Sequence, residues 1–113
     1  MASAPTSRLR NGAVTTFVNA TASGNTEAIA AAGAGLMIRV VSIFVLSETA
    51  LTVKFQSATT DVTAGFPVGI NGGFVLEHND EGWFQSAANE ALNINLSGTG
   101  VVGAQINYKI TQV

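Results

Sequence analysis

The chain has 113 residues, enough for one domain with a modest core, and only 11% of them are charged, against about 25% in a typical soluble domain. Five basic and seven acidic residues give a net charge of −2; the basic ones, Arg8, Arg10, Arg39, Lys54 and Lys109, are scattered, which excludes a general binder of nucleic-acid phosphates. Cysteine is absent, which excludes disulfide frameworks, zinc knuckles and thiol nucleophiles.

Residues 1–12, MASAPTSRLRNG, are small and polar. Composition alone reads this stretch as a tail; the functional alternative is an extended arm lying on a neighbouring subunit. No apolar stretch follows its two arginines, so no secretory signal is expected. From Ala13 the hydrophobic period is two, and residues 13–113 read as one β domain. TASGN at 21–25 is a turn cluster. TEAIAAA at 26–32 has helix-forming composition but ends at Gly33-Ala34-Gly35, and reads as strand or irregular. Residues 36–47 form a long strand with one face of Leu36, Ile38, Val40, Phe44 and Leu46 and another of Met37, Val41, Ile43 and Val45. Apolar residues on both faces imply burial on both sides, within the fold or against a partner. This makes Met37, Arg39, Val41, Ile43 and Val45 the candidate subunit interface. The run 36–46 contains Arg39 and Ser42 and is too short to span a bilayer, so no membrane contact is expected.

Residues 51–56 alternate strictly, with Leu51, Val53 and Phe55 inward, and the short connection predicts a hairpin with the preceding strand. Residues 62–66 read as a short strand stopped by Pro67. After a glycine-rich turn at 69–73, Phe74, Val75 and Leu76 form another. Trp83 and Phe84 return the chain to the core after the loop EHNDEG at 77–82. Leu92, Ile94 and Leu96 alternate with Asn93, Asn95 and Ser97. Residues 102–111 make a last long strand and a second predicted hairpin. About eight strands at near-regular spacing predict an all-β, single-domain β-sandwich, jelly-roll-like rather than a closed barrel.

Little in this sequence can carry chemistry. Glu77, His78, Asn79, Asp80 and Glu81 are oxygen-rich, but their spacing is not that of an EF-hand, and a solvated loop is the expected reading. His78 is the only histidine, and no nucleophile–base pair can be assembled around it. Glu77, Asp80, Glu81 and Glu90 supply carboxylates, but no spacing selects a glycosidase pair. The glycine stretches lack a phosphate-loop ending. The sequons at Asn19 and Asn95 carry no weight without a secretion signal. Trp83, Phe84, Phe74 and Phe66 are expected in the core rather than on a sugar-binding platform. No enzyme, metal or cofactor is expected.

A surface this poor in charge resists self-association weakly, so part of it is expected to be covered by other subunits in the working state. The segments NGGFVL (71–76), GWF (82–84), EALNINLS (90–97) and VGAQINY (102–108) resemble small structural proteins of tailed bacteriophages, of the capsid decoration or cement type. The resemblance implies a compact β-sandwich on the outer capsid surface, assembled in the host cytoplasm, often homotrimeric, bridging subunits of the major capsid protein. It also implies that Arg8, Leu9 and Arg10 of the arm clamp neighbouring capsomers. A tail or neck protein would share these features, and a carbohydrate-binding module is the alternative of another class.

Overall fold

The structure, a computed structural model, describes residues 7–8 and 13–112. The chain is an all-β sandwich. Its strands are β1 (Ser7–Arg8), β2 (Val14–Ala20), β3 (Gly24–Ile29), β4 (Leu36–Ser47), β5 (Leu51–Ser57), β6 (Thr60–Asp61), β7 (Phe66–Val68), β8 (Gly72–Leu76), β9 (Phe84–Gln85), β10 (Leu92–Leu96) and β11 (Val102–Gln112). One sheet runs β1-β2-β11-β4-β8, with β9 also on β4; the other runs β3-β10-β5-β6, with β7 also on β5. Every pairing is antiparallel. The short pairings β1, β6 and β9 account for the excess over the eight strands expected.

The core lies between the sheets. Val53 and Phe55 of β5 and Leu92, Ile94 and Leu96 of β10 meet Ile38, Val40, Ile43 and Val45 of β4 and Val102, Ala104 and Ile106 of β11. Each fully buried aliphatic or aromatic side chain contributes about 1.5–3 kcal/mol relative to exposure. Phe84 stacks on Phe55 at 5.2 Å between centroids, and Phe66 packs on Phe74 at 4.8 Å. Two buried serines tie residues 86–90 to the sheets. Ser86 Oγ accepts the Ile38 N–H (3.0 Å), while Ser57 Oγ accepts the Ala87 N–H (2.8 Å) and donates to Glu90 Oε1 (2.6 Å).

The two predicted hairpins are not hairpins. β4 and β5 lie in different sheets, as do β10 and β11. Each pair has a strong apolar face, and an arch over the end of the sandwich, between interior strands, turns those faces toward one another; a hairpin would lay them side by side. The two arches touch. Glu48 N–H donates to the Val101 carbonyl at 2.9 Å, and a Cβ on Gly100 would lie 2.7 Å from Thr49. The short strand expected at 62–66 forms instead at Phe66–Val68, with Pro67 inside it. β7 lies on the outer side of β5, so Pro67 is held in a sheet-edge strand, where a missing donor is tolerated.

The most consequential departure is in β4. Ser42 pairs with Asn107 and Val40 with Tyr108, so Val41 is an extra residue opposite the Asn107–Tyr108 step. This β-bulge reverses the alternation at mid-strand. It falls where the partner of β4 changes from β8 to β9. There the 77–83 loop takes over the ladder: Asn79 N–H donates to the Val41 carbonyl (2.9 Å) and Trp83 N–H to the Val40 carbonyl (2.8 Å).

Candidate functional site

The outer face of the six-stranded sheet is divided at the bulge. On one side, two rows of residues cross four strands. The first row is Phe17, Gln105, Phe44 and Val75; the second is Asn19, Gly103, Leu46 and Gly73. Phe17, Phe44, Leu46 and Val75 are 54%, 47%, 51% and 59% exposed, and no charged residue stands in either row. A shallow groove of about 310 Å³ runs over Gly103, with Phe17 and Asn19 on one bank and Phe44 and Leu46 on the other. Contiguous apolar surface of this kind marks contact sites more often than scattered exposed side chains do.

A polar ladder bounds these rows. Thr15 Oγ1 donates to Asn107 Oδ1 at 2.7 Å, and Asn107 Nδ2 donates to Ser42 Oγ at 2.6 Å. Beyond it the face is charged. Arg39 is paired across the strands with Lys109 and donates to Gln85 Oε1 from Nε (3.3 Å) and Nη2 (3.2 Å). Asp80 Oδ1 lies 2.7 Å from His78 Nε2 and 3.5 Å from Lys109 Nζ. The hydrogen bond with His78, then the charges of Lys109 and His78, hold the Asp80 carboxyl below the usual carboxylate range. The neighbouring Tyr108 hydroxyl is pushed up by burial.

The other sheet has a different exterior. Asn93 and Asn95 of β10 stand beside Glu27 and Asn25 of β3 and beside Gln56 and Lys54 of β5. Lys54 Nζ meets Asp61 at 3.1 Å, and Gln56 Nε2 donates to Asp61 Oδ1 at 2.7 Å. The Gln56 bond, then the one from Lys54, lowers the Asp61 carboxyl. One outer face is thus hydrated and carries charge, and the other is half apolar.

The bulge corrects the candidate interface. Met37 and Arg39 stand on the outer face, at its charged end. Ile43 and Val45 point into the sandwich, 2% and 0% exposed, and Val41 is fully buried at the bulge. The five residues therefore share no face. The outward residues of the later half of β4 are Phe44 and Leu46, which strict alternation had grouped with the opposite side. A mid-strand bulge has no clear sequence signature here, so these two were missed. Of the arm residues, Leu9 and Arg10 lie outside the described residues, and Arg8 is described only in its backbone pairing with Val14.

Phe74 and Phe84 are partly buried against the core as expected, and Phe66 is partly buried on Phe74, but Trp83 is 47% exposed. Its Nε1–H donates to the Glu77 carbonyl at 2.7 Å, so the indole turns back over its own loop. Beside it lies a groove of about 210 Å³ lined by Arg39, Glu81 and Gln85. Among the described residues, no three His, Cys, Asp or Glu side chains come together to hold a metal ion. Comparisons with protein-family models, with curated proteins and with solved structures each return no match for this chain.

Proposed function

We propose that this chain is a structural assembly component, a decoration protein that stabilises a phage-type shell by covering its neutral sheet face against other subunits. One observation carries the reading: the outer face of the six-stranded sheet presents Phe17, Phe44, Leu46 and Val75 in two uncharged rows. In an antiparallel sandwich the outer face is normally polar. Here half of it is patterned like an inner face, and an apolar sheet face reaches low free energy only when covered. The likeness of segments 71–76, 82–84, 90–97 and 102–108 to phage decoration proteins supplies the setting, in which many weak contacts repeated by symmetry add through avidity. Co-sedimentation of the purified chain with shells of the major capsid protein tests this. Saturable binding at defined stoichiometry is expected; no binding at any concentration of chain removes the decoration assignment.

A carbohydrate-binding reading is favoured by the exposure of Trp83 beside the polar groups of Arg39, Glu81 and Gln85. Trp83 is the only tryptophan, so intrinsic fluorescence reports directly on it. This reading requires the emission to change as a saturable function of an added oligosaccharide, and an unchanged spectrum across a broad sugar panel removes it.

A further inference from the structure

We infer that the groove beside Trp83 takes one uncharged sugar ring, whose hydroxyl groups lie between Glu81 and Arg39. The inference rests on the carbohydrate-binding reading above and names the ligand class of the same groove. Glu81 and Arg39 both line this groove, yet they form no ion pair, and among the described residues nothing engages the Glu81 carboxylate. Arg39 is anchored elsewhere. Its Nε and Nη2 both donate to the neutral Gln85 Oε1, at 3.3 and 3.2 Å. Its stem lies across Gly82, where a Cβ would fall 2.5 Å from Arg39 Cγ. Lys109, opposite Arg39 across the strands, meets Asp80 at 3.5 Å. Two opposite charges thus face one groove without meeting.

Those charges decide what the groove accepts. An anionic group on the Arg39 fork is repelled by Glu81, and an ammonium on Glu81 is repelled by Arg39. A hydroxyl group is both donor and acceptor. Adjacent hydroxyls donate to the Glu81 carboxylate and accept from the Arg39 N–H groups that Gln85 leaves free, with no charge brought in. Trp83 supplies the third contact. Its N–H is used within its own loop, by the Glu77 carbonyl, so the indole offers a ligand apolar ring surface rather than a donor. The C–H face of a sugar ring covers such a surface while its hydroxyls stay on the polar side. The platform is stiff. Trp83 N–H donates to the Val40 carbonyl and Gly82 N–H to the Asn79 carbonyl, both at 2.8 Å, and the next residue, Phe84, stacks on Phe55 of the core. A site fixed before binding loses little freedom when it is filled. The groove, about 210 Å³, is smaller than the roughly 300–1,000 Å³ of a drug-sized pocket, so it fits one ring rather than a chain. At the usual free energy per ligand atom, one ring binds with a Kd on the order of millimolar.

Titration of the full chain with methyl glycosides of glucose, galactose and mannose, followed by Trp83 emission, tests this. Glucuronate and protonated glucosamine serve as the acidic and basic probes. At least one neutral glycoside is expected to saturate, and both charged probes to bind about threefold or more weakly than it. Glu81→Gln and Arg39→Met remove one charge each, and Met keeps a stem over Gly82. Each variant is expected to weaken the neutral glycoside by about fivefold or more. Each should also admit the probe it had rejected, glucuronate for Glu81→Gln and glucosamine for Arg39→Met. Thermal melts of both should stay close to wild type, because neither group has an ion pair to lose. A neutral glycoside whose affinity either variant leaves unchanged, or a wild type that binds a charged probe as tightly, keeps the carbohydrate reading and overturns the inference. An emission that no probe changes overturns both.

Discussion

Gly73 and Gly103 flank Leu46 in one row of the outer face, on β8 and β11, and lack side chains for opposite reasons. A Cβ on Gly73 would run into the Val45 carbonyl and its backbone, so β8 can lie against β4 only with glycine there. A Cβ on Gly103 is accommodated. Alanine at each position should therefore act with opposite sign. Gly73→Ala forces the edge strand away and is expected to cost about 1–3 kcal/mol, the usual range for overpacking. Gly103→Ala removes chain entropy from the unfolded state and is expected to be neutral or to stabilise by up to about 1 kcal/mol. Urea unfolding of both variants, at dilutions where the chain is monomeric, gives the comparison. Equal destabilisation by both would mean that Gly103 is needed by the fold.

The bulge in β4 does at the level of an element what no single residue does: it decides which side chains of one strand are core. Strict alternation from Leu36 carries Phe44 and Leu46 inward and Ile43 and Val45 outward. The extra residue at Val41 exchanges them. Truncation distinguishes the two registers. Ile43→Ala is expected to cost about 2–5 kcal/mol through lost burial and a cavity. Phe44→Ala removes a larger side chain yet should stay within about 0.5 kcal/mol in the monomer. A reversal of that order in denaturant midpoints would mean that the strand runs in the regular register. The same element shows what the sequence made legible. Class, sandwich architecture and most strand positions followed from period two and from turn residues, because local patterning governs them. The bulge and the two arches did not follow, because they depend on which strand lies opposite. The candidate site inherits that error. The idea of a two-sided apolar strand was sound for Leu36–Ser47, but the side that faces outward could be assigned only once Ser42 was seen opposite Asn107.

For the molecule as a whole, the shortage of charge is distributed unevenly. The five-stranded sheet carries Asn25, Glu27, Lys54, Asn93 and Asn95 on its exposed or half-buried positions, with Gln56 buried beside Asp61, while Arg39, Asp80 and Lys109 collect at one end of the other sheet. What remains is the half-face around Gly103, whose two rows carry no charge and which Glu48 and Glu77 border. A contact made there should respond to solution conditions in a way that a contact made by the charged groups does not. Ion pairs between exposed groups are screened over a Debye length, which shortens from roughly 14 Å to about 4 Å between 50 and 500 mM salt. Apolar burial is not weakened by such screening and is strengthened by sulfate, which is excluded from protein surface. Association of this chain, with itself or with a shell, is therefore expected to change less than about twofold over that range of sodium chloride and to tighten in ammonium sulfate. Isothermal titration or sedimentation at graded salt measures it. A steep fall in affinity with sodium chloride would move the working contact away from the Gly103 groove. It would shift to the basic groups: Arg39 and Lys109 at the far end of the sheet, or Arg8 and Arg10 near the start of the sequence.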